Sequence, residues 1–396
     1  MTNTSSMKNT PSMKNSRVLI SGASIGGPAL AYWLNRYGFD VTVVELMPGL
    51  RLGGQAIDVR GPALDVAERM GVLDRIREQR VEMRGMSMVD AGGAELHRTE
   101  EYTFTGGDLS SPDIEILRED LSRILADAAG EGIEYLYGDS IAGLEQDDDG
   151  VRVIFHSGAI QTFDLVVGAD GLHSNTRRLA FGPERDFLSH LGPYLAVWTA
   201  PNFLGLDRWQ IGHRTPAGNW GGVMSVRGNT ELRVFLGFES EKPIDYDHRD
   251  IAAQKKIMAD ALAGGGWVLP ELIRTMWDAK DFHFDSMAQI RMDSWSRGRV
   301  VLLGDAGYCG SPMSGQGTSM AIVGAYVLAG ELKAAGGDHR AAFANYEREL
   351  RGYIEANQDL ALANRAQVEE GRDGEVGMYD LQEFAKVVNS YQVKGY

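Results

Sequence analysis

Three glycine-bearing segments carry residue types that can hold a nucleotide. The first, Gly22-Ala23-Ser24-Ile25-Gly26-Gly27, follows a short apolar run, Arg17–Ser21, and opens an apolar-periodic stretch. Gly22 permits a tight turn, and Gly27 lets the next helix pack close to the strand. The start of that helix, at Ile25 and Gly26, presents free N–H groups and a positive dipole end to a pyrophosphate. Ser24 occupies the place of the usual middle glycine; it is small, and its hydroxyl can donate to a phosphate. Glu45 ends the following apolar run, where a carboxylate takes both hydroxyls of an adenosine ribose. An acid there suits FAD or NAD and disfavours the 2′-phosphate of NADP at this position. Taken alone, the segment also fits an ordinary glycine-rich strand-to-helix turn.

The second segment runs from Asp164 through Gly168-Ala169-Asp170-Gly171 to Ser174 and Arg177. The third is Gly304-Asp305-Ala306, followed by Pro312, Met313, Gly315-Gln316-Gly317 and Thr318. Each stands where a buried strand ends and irregular chain begins. Alone, either is strand punctuation; the order of all three is far more specific.

The elements that must position these residues are legible from period and punctuation. Strand Arg17–Ser21, a helix over 26–37 stopped by Gly38, and strand 40–46 form a strand–helix–strand unit of a parallel sheet. One helix is expected over 62–80 and another over 118–129. Residues 140–155 read as two strands around an Asp-Asp-Asp-Gly turn, and Phe163–Ala169 as one buried strand. From about 181 to 285 the texture becomes rich in Trp, Tyr and Phe, with strands at 193–200, 208–213, 220–226 and 231–238. There Leu232, Val234, Leu236 and Phe238 alternate with Glu231, Arg233, Phe235 and Gly237, so the sheet has two unlike faces. A helix over 248–263 follows. A strand at 299–303 resumes the first texture, and helices over 317–335 and 339–367 complete it.

The expected fold is therefore α/β: a Rossmann-like nucleotide domain with a parallel sheet (17–85, 105–180 and 286–370), interrupted by a mainly antiparallel sheet domain (86–104 and 181–285). Residues 1–16, with the near-duplicates Ser6–Thr10 and Ser12–Ser16, read as a flexible leader without the apolar core of a secretory signal. Residues 371–396 read as a linker over 371–377 and a short helix over 378–391.

Composition bounds the function. The 396 residues, 43% hydrophobic, suffice for a large core, and the net charge of −16 argues against a nucleic-acid footprint. The single cysteine, Cys309, excludes an intramolecular disulfide, a vicinal redox pair and Cys-based zinc ligation, and no metal site is expected. Cys309 reads as a small buried thiol and His173 as a turn histidine. No apolar run reaches the roughly 18 residues of a membrane span. The expected compartment is the cytoplasm.

The three motifs, in this order, resemble those of the class A flavoprotein monooxygenases with the p-hydroxybenzoate hydroxylase-like fold, over about residues 17–370. The spacing is similar to that of the tetracycline-inactivating and aromatic-polyketide-tailoring members. The resemblance implies that Gly22, Ser24 and Gly27 line the FAD pyrophosphate and Glu45 holds the ribose. It places Arg51 near the nicotinamide route, Asp58 near the flavin, and Arg118 at the FAD phosphate or ribityl chain. Asp170 matches a motif serving FAD and NAD(P)H, and Asp305 the ribityl-binding aspartate. The turn Gly315–Gly317, opening the helix with Thr318, would face the flavin pyrimidine edge and stabilise reduced-flavin charge. Three positions depart from the family pattern: Leu46 follows Glu45 where an arginine is common, Tyr308 replaces a histidine, and Ser319 an asparagine.

What the resemblance implies about activity is an FAD-dependent, NADH- or NADPH- and O2-consuming monooxygenase. It would insert one oxygen atom into a bulky aromatic or polycyclic small molecule, tetracycline-like or polyketide, through a flavin C4a-hydroperoxide. No protein nucleophile is required. Candidate pocket residues are Trp198, Trp209, His213, Trp220, Met224, Phe235 and Phe238, each of which also fits simple core packing, together with Pro312 and Met313. Hydroxylation and Baeyer–Villiger insertion stay open, as do monomer and homodimer. A non-catalytic FAD and ligand binder is the alternative from another class. A flavin-dependent halogenase shares the fold, but its Trp-x-Trp-x-Ile-Pro signature is missing from this chain.

Overall fold

The computed structural model describes residues 16–51, 53–215, 217–370 and 381–396. The expected leader and the 371–377 linker lie outside these residues, apart from Ser16.

A six-stranded sheet forms the nucleotide side, in the order Ser296–Arg297, Val300–Leu302, Leu165–Gly168, Arg17–Ser21, Asp40–Glu45 and Glu134–Tyr137. All neighbours are parallel except the first pair. The strands are apolar nearly throughout because both faces are covered. Val18 and Ile20 pack into a layer with Ala29, Leu30 and Val323 of the long helices. Leu19, one residue out of phase, joins Val151, Val153 and Phe155 of a three-stranded antiparallel sheet on the opposite face.

Helices Gly26–Arg36, Arg118–Ala129 and Gly317–Ala334 agree with their expected spans within a few residues. The 62–80 stretch is two helices, Pro62–Arg69 and Leu73–Glu78. Gly71 takes φ 73° between them, and the Val72 N–H closes the first helix on Ala67 O at 3.0 Å. Phe163–Ala169 is likewise two strands, Ile160–Phe163 and Leu165–Gly168, in different sheets. The chain changes sheet at Asp164, whose carboxylate accepts from Arg17 N at 2.8 Å. The 248–263 helix is confined to Ile251–Ala261, capped by Asp250. Helix Leu269–Asp278 and strand His283–Ile290 were not expected: the first is short, and the second mixes polar and apolar residues without a clean alternation.

The second large sheet has seven strands, in the order His283–Ile290, Leu188–Pro201, Glu231–Glu239, Trp220–Val226, Trp209–Arg214, Gly85–Val89 and Glu95–Thr99. One face is covered by helices Ile251–Ala261 and Leu269–Asp278, through Tyr194, Trp198, Leu236 and Phe238. The other face turns toward the nucleotide side. Among the described residues, no helix is long and apolar enough to cross a membrane.

Candidate functional site

The three motifs converge on one recess. Gly22 has φ 107°, and any side chain there would collide with the Ala169 carbonyl of the second motif. A Cβ on Gly27 would collide with the Gly22 carbonyl itself, so the helix meets the turn backbone to backbone. Gly26 packs on Leu303 and Ala321, which flank the third motif. Arg177, fully buried, donates to Ala306 O at 2.9 Å and to Leu172 O at 2.7 Å, and pairs with Glu184 at 2.7 Å. It thereby ties the second motif to the third.

Two helix starts open into this recess. Helix Gly26–Arg36 begins at Ile25 and helix Gly317–Ala334 at Gln316; neither has a side-chain cap or an acid in its first turn. Their first N–H groups therefore await acceptors, and their dipoles favour negative charge. The Ile25 side chain lies in the core, leaving only its backbone at the turn. Gly315 takes φ 61° to turn the chain into the second helix; Met313 is half-buried and Pro312 exposed beside it. Thr318 is half-buried in the first turn of that helix.

Glu45 Oε2 accepts from Ala23 N at 2.8 Å, and Oε1 from Met47 N at 2.9 Å. The carboxylate is thus clamped against the first turn with lone pairs to spare. Arg118 Nη1 donates to Ser24 Oγ at 3.2 Å, while Nη2 reaches the carbonyls of Arg51 and Gly53. Ser24 is therefore an acceptor here as well as a potential phosphate donor. A Cβ on Gly54 would stand 2.5 Å from Arg118 Nε, so this glycine keeps the guanidinium uncovered. Burial, with Arg51 nearby, lowers the Arg118 pKa to about 10. Arg51 is lowered too, by burial, against the pull of Glu45, Asp285 and Asp281.

Asp305 is solvent-accessible within a recess that protein atoms otherwise surround, and this desolvation raises its pKa. Gly317 lies beside it, its Cβ position 3.7 Å from Asp305 Oδ1. Asp170 is engaged internally: it accepts from Ser174 Oγ, Thr176 N, Thr176 Oγ1 and Ser21 Oγ, at 2.5 to 3.3 Å. Its position secures the second motif rather than projecting a free carboxylate. Asp58 pairs with Arg60 at 2.9 Å inside a buried charge cluster with Glu115. Burial raises Asp58, against Arg60, and carries Glu115 to about 8, with the Asp58 charge adding to the effect.

The residues fit a dinucleotide by an internal criterion. Among the described residues, Arg118 Nε and both amide atoms of Gln316 are buried without a hydrogen-bond partner. Buried polar groups are rarely left so. Here they lie beside two uncapped helix starts and a glycine cradle, where a phosphate, a ribityl chain and a flavin edge would supply acceptors and donors.

Strand register sorts the pocket candidates. Trp220, Met224 and Phe235 share the face that turns toward the nucleotide side, with Gly222, Gly237 and Val197. The Trp220 ring covers Gly237, whose Cβ position lies 2.5 Å from Trp220 Cζ2. Met224 is buried, and its sulfur faces Thr105 Oγ1 at 3.9 Å. Trp198 and Phe238 point the other way: both belong to the core under the covering helices, and Trp198 Nε1 donates to Thr275 Oγ1 at 3.1 Å. His213 and Trp209 are also on that side. Each His213 ring nitrogen lies 3.0 Å from a carbonyl oxygen, of Val89 and of Gly265, and Trp209 Nε1 donates to Ser87 Oγ at 3.0 Å.

Several site residues escaped the sequence reading. Arg233, on the same face as Phe235, pairs with Asp281 at 3.1 Å and bonds Thr199, within a network that reaches Glu119 and the Gly53 N–H. The alternation of strand Glu231–Glu239 already grouped it with Phe235. Phe104 packs over Gly212, and its N–H donates to Gln210 Oε1 at 2.7 Å. His283 is half-buried near Arg51, and desolvation with that charge lowers its pKa to about 4. Nothing local in the sequence signals the last two.

The chain is similar to known proteins along nearly its whole length. The family model described as "FAD binding domain" matches residues 15–360. An uncharacterized protein of Mycobacterium tuberculosis is 53% identical over 380 residues, covering 96% of this chain and 99% of its own. A flavin-dependent monooxygenase of Legionella longbeachae is 41% identical over 350 residues, covering 88% of each. The crystal structure of tetracycline destructase Tet(51) superposes with a TM-score of 0.85 at 36% identity, covering 96% of this chain and 98% of that one.

Proposed function

This chain belongs to the FAD binding domain family and is a flavin-dependent monooxygenase, and from that premise we propose that it uses NADH or NADPH and O2 to insert one oxygen atom into a bulky, polycyclic, tetracycline-like or polyketide molecule. The observation that carries the substrate class is the sheet face bearing Trp220, Met224 and Phe235, turned toward the nucleotide recess. The likeness to a tetracycline destructase supports the same class.

When bound, FAD supplies hydride acceptance and oxygen activation. The chain's own residues bind and orient. The N–H groups at Ile25–Gly27 and the Arg118 guanidinium take the pyrophosphate, and Glu45 takes the ribose hydroxyls. Asp305 holds the ribityl chain. The N–H groups of Gly317 and Thr318 would hold the pyrimidine edge, where a helix start would stabilise added negative charge. Pro312 and Met313, with the aromatic sheet face, border the substrate and keep water from the reacting region. Arg51 lies on the nicotinamide route. Asp58 is a buried ion-pair partner close to the flavin. Asp170 acts as the internal brace of its turn. The cytoplasm is the proposed compartment, and inactivation of a polycyclic antibiotic or tailoring of a polyketide the proposed role.

The test is mass spectrometry of products formed by FAD-loaded protein with NADPH, O2 and a panel of tetracyclines, rifamycins and aromatic polyketides. A product heavier by one oxygen atom is expected. Anaerobic mixing in which neither NADH nor NADPH reduces the bound flavin, with every candidate substrate tried, would sink the proposal.

A further inference from the structure

One cluster of ligating side chains belongs to none of the roles above. His173 sits in the turn after Gly171, and Asp285 on strand His283–Ile290 of the second sheet. His248 stands in the loop before helix Ile251–Ala261. One ligand atom from each of the three lies within 4.8 Å of the other two. His173 Nε2 is 3.1 Å from Asp285 Oδ2 and 3.2 Å from Oδ1. The rings of His173 and His248 are 4.1 Å apart, and His248 is exposed.

We propose that His173, His248 and Asp285 form a binding site for a divalent transition-metal ion of the zinc class, bridging the second nucleotide motif and the substrate-side sheet. Two independent features support it. First, a tetrahedral ion bonded to an imidazole nitrogen and a carboxylate oxygen holds those atoms roughly 3.4 Å apart, close to the observed spacing. Second, the other nitrogen of His173 is already oriented: Nδ1 lies 2.9 Å from Glu184 Oε1. A carboxylate behind a ligating histidine fixes its tautomer and aims the free nitrogen at the ion. Glu184 is itself held by Arg177 at 2.7 Å, so the orienting group is anchored to buried structure. Two imidazoles and one carboxylate suit zinc, cobalt or nickel better than magnesium or calcium, which prefer oxygen ligands. The exposed rings leave an entry path and a fourth position for water. On binding, the proton between His173 Nε2 and Asp285 passes to solvent and the ion takes its place, with Nδ1–H still donating to Glu184.

The experiment is calorimetric titration of Zn2+ into chelator-stripped, tag-free, FAD-loaded protein, alongside His248→Ala, His248→Asn, Asp285→Asn and Glu184→Gln. One ion per wild-type chain is expected. The His248 and Asp285 variants should bind at least 10-fold more weakly, and Glu184→Gln roughly 10-fold more weakly through loss of orientation. Titration with Co2+ should bring visible absorption bands of a low-coordinate site, absent in His248→Ala. An unchanged flavin spectrum establishes that each variant is folded; His248 is exposed, so both of its replacements are safe in that respect. Wild-type protein that binds Zn2+ no more tightly than the His248 variants overturns the proposal, and the cluster is then an ion bridge sharing a proton. Tight binding that survives both the His248 and the Asp285 changes overturns it equally, by locating the ion elsewhere.

Discussion

Arg118 Nη1 donates to Ser24 Oγ across 3.2 Å, joining the start of one helix to the glycine turn before another, 94 residues away. The contact explains a serine where such turns usually carry glycine. The hydroxyl anchors the arginine beside the phosphate position, and Gly53 and Gly54 complete its cradle. Arg118→Met, which keeps bulk but removes the donors, should weaken FAD binding by one to two orders of magnitude, since charge-assisted bonds are worth about 1.5–3 kcal/mol each. Release of flavin fluorescence on dilution measures it. Ser24→Gly should cost far less.

The turn itself makes a sharper contrast. Gly27→Ala drives a methyl group into the Gly22 carbonyl, with no flexible side chain to yield. It should abolish flavin retention and lower the melting temperature strongly. At Gly26 the added methyl meets Leu303 Cδ2 at 3.4 Å, an ordinary contact, so Gly26→Ala should melt close to wild type. Equal melting temperatures for the two variants would contradict the packing described.

Register predicts opposite phenotypes for two tryptophans. Trp198→Ala empties a fully buried site under the covering helices and should destabilise by about 3–5 kcal/mol. Trp220→Phe, on the recess face, should leave the denaturant midpoint nearly unchanged and raise the KM for a polycyclic substrate several-fold. Chemical denaturation and steady-state kinetics separate the two.

Glu115 makes folding pH-dependent. Its pKa rises from the ordinary 4.5 to about 8, through burial and the nearby Asp58 carboxylate, against a bond from Thr105 and the charge of Arg60. Between those values the unfolded chain has released the proton and the folded chain retains it. Stability from this group is therefore full below pH 4.5, declines as pH rises, by up to about 1.4 kcal/mol per unit, and levels off above pH 8. Glu115→Gln should flatten that decline. A wild-type melting temperature that falls from pH 5 to 8 as steeply in the variant would refute the assignment.

Much of this protein was written in local sequence. The glycine turn, the helix behind it and Glu45 follow from steric and periodic rules that act within about 30 residues, which is why the first strand–helix–strand unit agrees closely with expectation. Alternation along Glu231–Glu239 even separated Arg233 and Phe235 from Leu236 and Phe238. It left open which face met the nucleotide side, so Trp198, His213 and Trp220 read alike until register divided them. The split of 62–80 at Gly71 was lost because apolar periodicity runs through both helices. Tertiary structure alone decided the contacts of Arg118 with Ser24, of Phe104 with Gln210, and of His173 with Asp285, 112 residues apart. Short-range rules say where a chain turns; which side chains meet depends on how the sheets pack, and no local pattern encodes that.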